Sequence, residues 1–168
     1  MLNIVNRSAL VLILAVGTLQ GLYGQTQAVP SAVTTYTTEQ LKTMGTELAT
    51  KAATTGSATE NLVNEHPDHF TMLAYRNRTG NAEVHMQFAD VFSIVQGSAT
   101  LETGGTVVAP KTSSPGEIRG TDIEHGVDKP LHAGDIVEIP AGVPHLMKLA
   151  PGETILYFVV KIQESAAH

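Results

Sequence analysis

The residues best placed to do chemistry lie in one short run, Gly134-Asp135-Ile136-Val137-Glu138-Ile139-Pro140-Ala141-Gly142-Val143-Pro144-His145. It reads as a turn, an apolar strand and a proline–glycine corner that delivers one imidazole at a fixed place. Pro140 has no N–H to donate to a sheet and so ends the strand. Gly142 accepts backbone angles that other residues avoid, and Pro144 stiffens the approach. A stiff corner preorganises His145, although most histidines in proteins are no more than satisfied polar groups. The chain contains no cysteine. Thiol catalysis, thiolate metal sites and disulfides are therefore excluded, and any metal must be held by imidazole and oxygen.

The elements that must position such a site are short strands. Phe70–Arg76, Ala82–Met86, Asp90–Gln96, Ala99–Glu102, Thr106–Val108, Asp135–Ile139 and Thr154–Lys161 carry strand-like apolar patterns. Turn signals separate them, among them Asn77-Arg78-Thr79-Gly80-Asn81, Gly97-Ser98 and Gly104-Gly105. Turns every 8–12 residues point to a sandwich or barrel rather than to βαβ units. Lys111–Gly120 reads as a polar loop, and Gly126-Val127-Asp128-Lys129-Pro130 as a turn-rich stretch near a rim. Ahead of the strands, Thr37 and Gln40 form a capping-box pattern. Leu41, Met44, Leu48 and Ala52 follow on one face of an amphipathic helix that should stop near Thr54-Thr55-Gly56-Ser57.

Residues 1–28 read as a leader: Arg7, then the apolar run Ala9–Val16, then small and polar residues with cleavage expected after Gly24 or Ala28. The apolar core is shorter than the ~20 residues of a spanning helix. A secreted or periplasmic protein is therefore expected, without stable membrane insertion after cleavage. The expected organisation is a leader over 1–28, an extension with one helix over 29–60, and a β-barrel over 61–168. The whole chain carries 10 Lys/Arg against 16 Asp/Glu, a net charge of −6, and loss of Arg7 with the leader makes it −7. Such a surface repels phosphate backbones, so nucleic acid is not an expected partner.

Gly134, Pro140, Gly142 and His145 stand at the spacing of the second motif of the cupin superfamily, and the chain resembles that family of double-sheet jelly rolls. The motif's closing Asn is replaced here by Leu149. The first motif is recognisable in altered form as Glu83-x-His85, four residues, Asp90, six residues, Gly97. Glu83 stands where the family has its first His, and Asp90 where it has Glu. An alternative register makes His85 and Gln87 the pair, but then leaves too few residues before Asp90. The resemblance spans roughly residues 72–162. It implies an all-β, double-stranded β-helix (jelly-roll) barrel with an N-terminal helical extension. It also implies a metal site of His85, Asp90, His145 and Glu83, and residues 83 and 85 of one strand share a face.

Two imidazoles with carboxylates suit Zn²⁺, Mn²⁺, Fe²⁺ or Ni²⁺ with positions open to water or substrate. In the leading reading the metal polarises a small organic substrate, or activates water or O₂, with oxygenase, isomerase and lyase types unresolved. Glu83, if it is not a ligand, serves as general base. Asp90 is one methylene shorter than the family's Glu, which can leave it behind the ligands. The rival reading is a small-ligand-binding module without turnover, in which His85 and Asp90 form a buried hydrogen-bonded pair. A third is an inert interior, and pairing of edge strands into a homodimer is a further option. Arg76 either pairs with an internal carboxylate or reaches an anionic substrate. His66, His69, His125 and His132 are read as surface residues, and His168 is terminal.

Overall fold

The computed structural model describes residues 33–63 and 66–164. The expected leader at 1–28 and His168 lie outside the described residues. The described elements all belong to the unit that begins at Thr35, and no helix among the described residues is long and apolar enough to cross a membrane.

Helix α1 (Thr38–Thr55) starts where the capping box places it. The Gln40 N–H donates to Thr37 Oγ1 at 3.2 Å, and the Thr37 N–H donates to Gln40 Oε1 at 2.8 Å, so two end-of-helix donors are satisfied reciprocally. Twelve strands follow among the described residues: β1 (Ser57–Val63), β2 (His69–Arg76), β3 (Ala82–His85), β4 (Phe88–Thr103), β5 (Thr106–Val108), β6 (Lys111–Ser114), β7 (Glu117–Gly120), β8 (Asp122–Glu124), β9 (Val127–His132), β10 (Ile136–Ile139), β11 (His145–Lys148) and β12 (Ile155–Gln163).

Strand β4 belongs to two antiparallel sheets. Its first part pairs with β12 and β10, and β12 leads on to β2 and β1. Its last part pairs with β9 and β11, and β11 leads on to β3, β7 and β6. The change of sheet occurs at Gly97, which has φ +84°, and a Cβ there would lie 1.9 Å from the Thr154 carbonyl oxygen. Only glycine fits that close approach and that angle. The result is a curled jelly roll with one helix outside it.

Side-chain alternation assigns each residue to a face. Ala74, Phe92, Ile94, Leu101, Met147, Ile155, Tyr157 and Val159 point between the sheets and form the barrel core. Their sequence neighbours Leu73, Tyr75, Val95, Leu156 and Phe158 point outward, where Leu41, Met44 and Leu48 of α1 cover them. The helix therefore lies on the outer face of β2, β12 and β4. Gly45 allows the close approach, because a Cβ there would lie 2.6 Å from a Leu156 methyl. Full burial of a side chain such as Leu48 stabilises by about 1.5–3 kcal/mol. On the second sheet, Ala82 and Leu146 point outward under Ile123 and Val107 of the small β5–β8 pair.

Three local expectations change. Lys111–Gly120 is the β6–β7 hairpin rather than a loop. The stretch at 127–130 lies in β9, which accepts Pro130 because it is an edge strand. Gly97-Ser98 is a bend inside β4 rather than a turn between strands.

Candidate metal centre

Strands β11, β3 and β7 are adjacent, and their register puts the polar residues in two rows. His145 pairs with Glu83, and Glu83 pairs with Arg119. One row away, His85 pairs with Glu117. Directly opposed residues hold their Cβ atoms about 4.5–5.5 Å apart, so the pairing brings these side chains together. The corner before His145 is tied to the same strand, because the Gly142 N–H donates to the His85 carbonyl at 2.8 Å. Asp90 arrives from β4, on the inward face that it shares with Phe92 and Ile94.

The two imidazoles meet. Their ring centroids are 5.2 Å apart, and His85 and His145 are 5 % and 4 % exposed. His85 Nε2 lies 3.4 Å from Glu83 Oε2 and 3.5 Å from Asp90 Oδ2. His145 Nε2 lies 3.9 Å from Glu83 Oε2 and 3.7 Å from Asp90 Oδ2. Glu83, His85 and His145 each offer a ligand atom within 4.8 Å of the others. Asp90 lies beside this group, with both of its oxygens on Lys161 Nζ at 2.6 and 2.8 Å.

The second nitrogen of each ring is already committed. His145 Nδ1 stands 3.1 Å from the Val143 carbonyl oxygen, which can only accept, so Nδ1 carries the hydrogen. His85 Nδ1 stands 2.6 Å from Glu117 Oε2, and an ionised carboxylate imposes the same tautomer. In the neutral rings both Nε2 lone pairs therefore face the space between them. Both Nε2 atoms are buried and lack a hydrogen-bond partner. Burial also holds His145 below the ordinary histidine range, against the opposing pull of the Val143 carbonyl, Glu83 and Asp90. A neutral imidazole is the form that binds metal.

The acidic groups have partners of their own. Glu83 faces Arg76 Nη2 and Arg119 Nη1, each at 3.2 Å, and Arg119 Nη2 lies 3.5 Å from Glu117. Burial opposes the charge on Glu83, but a hydrogen bond from His85 when that ring carries hydrogen on Nε2, together with Arg119 and Arg76, outweighs it and holds the carboxyl at about 2. Three carboxylates thus face Arg76, Arg119 and Lys161, and within the cluster both imidazole Nε2 atoms, like Asp90 Oδ1 and Arg119 Nη1, lack a hydrogen-bond partner. Two lone pairs and an ionised carboxylate converging on one buried point fit a divalent first-row metal.

A cavity of about 20 Å³ adjoins His145, bounded by Arg76, Asn81, Glu83, Phe92 and Tyr157. It has room for roughly one water. Tyr157 accepts a hydrogen bond from Arg76 Nε at 3.0 Å, and burial raises its pKa.

The four residues singled out in the sequence, Glu83, His85, Asp90 and His145, come together between the sheets. Glu117, Arg119, Lys161 and Tyr157 complete the surroundings and were not singled out. The alternation Glu117-Ile118-Arg119-Gly120 repeats the pattern of Glu83-Val84-His85 and was a usable signal. Arg76 pairs with Glu83, the first of its two expected roles. Among the described residues, His66, His69 and His132 have their partners away from the centre. His69 pairs with Asp68 at 2.8 Å and stacks on His66, while His132 lies 3.7 Å from Asp135.

No protein-family model matches the chain, and no curated protein matches it. Solved structures of low similarity do align with it. The DMSP lyase DddQ from Ruegeria pomeroyi is 15 % identical with a TM-score of 0.48, the match covering 67 % of this chain and 49 % of that one. The Cnp3 cupin domain of Schizosaccharomyces pombe is 11 % identical with a TM-score of 0.48, over 64 % of this chain and 65 % of that one. The polyketide cyclase RemF from Streptomyces resistomycificus is 16 % identical with a TM-score of 0.47, over 67 % and 68 %. The chain thus spans about half the length of the lyase it matches. The fold rests on the molecule's own features: two antiparallel sheets share β4, and His85 and His145 meet between them, in a curled jelly roll.

Proposed function

We propose that this chain is an exported cupin-type protein that binds one divalent metal ion through His85, His145 and Glu83, and acts on a small organic substrate. Export is inferred from the leader-like composition of residues 1–28. The observation that carries the metal reading is the pair of buried, unpartnered Nε2 atoms converging beside an ionised carboxylate. When bound, the metal supplies Lewis acidity toward a substrate oxygen or a water. The chain's own residues do the rest. Glu117 and the Val143 carbonyl fix the ring tautomers. Arg76 and Arg119 keep Glu83 ionised. Lys161 holds Asp90 beside the rings, where its free lone pairs can accept a proton from a group bound next to them.

A second reading has its own support. The cavity beside the rings has room for about one water, which favours a metal-free, non-catalytic module for a small polar ligand. Metal analysis of tag-free protein separates the two. The enzyme reading expects about one equivalent of a first-row metal, lost in His85→Ala and His145→Ala. It also expects a melting point several degrees lower in chelator, since an ion at a hundred times its Kd stabilises by about 2.7 kcal/mol. Absence of metal, with melting unchanged by chelator, rejects the metal reading and leaves the module.

A further inference from the structure

We infer that the groove between the end of α1 and the β2–β3 turn is a binding site for a small monocarboxylate, and that it receives the acidic end of the substrate. The groove encloses about 180 Å³ and is bounded by Ser57, Arg76, Arg78, Thr79 and Asn81. Arg76 and Asn81 also line the cavity beside His145, so the groove and the histidines share a wall. Naming the occupant as substrate rests on the proposed function, whereas the groove itself is defined without any metal.

Both guanidiniums are set into the groove by glycines. A Cβ on Gly80 would lie 2.6 Å from Arg76 Nη1, and one on Gly56 would lie 2.6 Å from Arg78 Nε. Each group is held on one side only. Arg76 gives Nε to Tyr157 and Nη2 to Glu83. Arg78 gives Nη2 to the Thr54 carbonyl at 2.5 Å, capping the end of α1. The remaining N–H groups, with the Ser57 hydroxyl and the Asn81 amide, are the donors available to a ligand, while the Thr79 hydroxyl is committed to Leu149.

The charge selects the ligand. Glu83 already balances Arg76 at 3.2 Å, while Arg78 faces a neutral carbonyl. About one unit of positive charge is left, which matches a carboxylate better than a doubly charged phosphate. This positive spot lies on a chain of net charge −6. The volume falls below the ~300–1,000 Å³ of pockets for drug-sized ligands, and so fits an acid of a few carbons.

The test is an NMR titration of metal-free protein with propionate, with inorganic phosphate as a second probe, at constant ionic strength. The inference expects saturable shifts of the Arg78, Gly80 and Asn81 amides with propionate, and weaker binding of phosphate. Arg78→Gln should weaken propionate about tenfold, the loss of one charge-assisted hydrogen bond. Gly80→Ala should also weaken it by displacing Arg76. Arg78→Lys keeps the charge and a donor to Thr54, so it preserves the fold while losing the two-pronged contact, and should fall between. No saturable shift in the wild type, equal affinity in Arg78→Gln, or phosphate binding tighter than propionate would overturn the inference. Propionate binding in a protein that never takes up metal would leave the groove standing and remove the catalytic reading instead.

Discussion

Glu117 is not itself a proposed ligand of the metal, yet removing it should weaken metal binding. Its carboxylate lies 2.6 Å from His85 Nδ1, on a side chain 24 % exposed facing a ring 5 % exposed. In Glu117→Ala the ring loses the acceptor that keeps the hydrogen on Nδ1. Nε2 can then carry the hydrogen and donate it to Glu83 Oε2, 3.4 Å away, and that tautomer has no lone pair to give. Loss of such an orienting partner weakens metal binding by about 10–100-fold, or about 1.4–2.7 kcal/mol. Arg119 loses one of its two carboxylates as well, but keeps Glu83 at 3.2 Å, so the barrel should stay folded. Calorimetric titration of Zn²⁺ into metal-free protein at neutral pH reads the affinity, and ring-nitrogen NMR reads the tautomer. Glu117→Gln, whose amide oxygen can still accept from Nδ1, should recover part of the loss. An affinity within twofold of wild type in Glu117→Ala, with His85→Ala abolishing binding, would refute the argument that the tautomer governs the site.

Leu48→Ala empties the contact between α1 and the outer sheet and should cost about 2–5 kcal/mol by urea unfolding, with metal affinity unchanged because that contact lies on the far side of the sheet from the histidines. Lys161→Met strands the Asp90 carboxylate, 2 % exposed, and should lower stability by about 3–5 kcal/mol; a change under 1 kcal/mol would mean that the pair is not needed. Acid unfolding should report Glu83. Its carboxyl is held at about 2 against an ordinary 4.5, so its stabilisation is complete above about pH 4.5 and is lost as pH falls toward 2. That amounts to on the order of 3 kcal/mol, and Glu83→Gln should flatten the stability profile across that window; an unchanged acid slope would contradict the assignment.

Local patterns carried much of this architecture because local rules generate them. The capping box and the spacing of Leu41, Met44, Leu48 and Ala52 mark α1 because one helix face must meet a sheet. The proline–glycine corner marks His145 because a strand must stop before the ring is delivered. What escaped depends on partners far away in the chain. Strand β6 is exposed throughout, so no apolar alternation betrays it. Pro130 argues against a strand until the neighbour of β9 is known to lie on one side only. Glu117 and Arg119 become site residues through the register of β7 on β3, and register is set by hydrogen bonds between strands that no local spacing records. The carboxylates were legible as candidate ligands. Arg76 was legible as a partner for an internal carboxylate, whereas the pairing with Arg119 and Lys161 was visible only once the sheets were assembled.

Anomalous diffraction at a metal absorption edge, from crystals of metal-loaded protein, tests the centre most directly. With Zn²⁺ the expected result is one peak between the rings, about 2.0–2.1 Å from the Nε2 atoms of both His85 and His145, with Glu83 oxygen as a further ligand. A map with no peak there, and both Nε2 atoms hydrogen-bonded to Glu83, Asp90 or water, would contradict it.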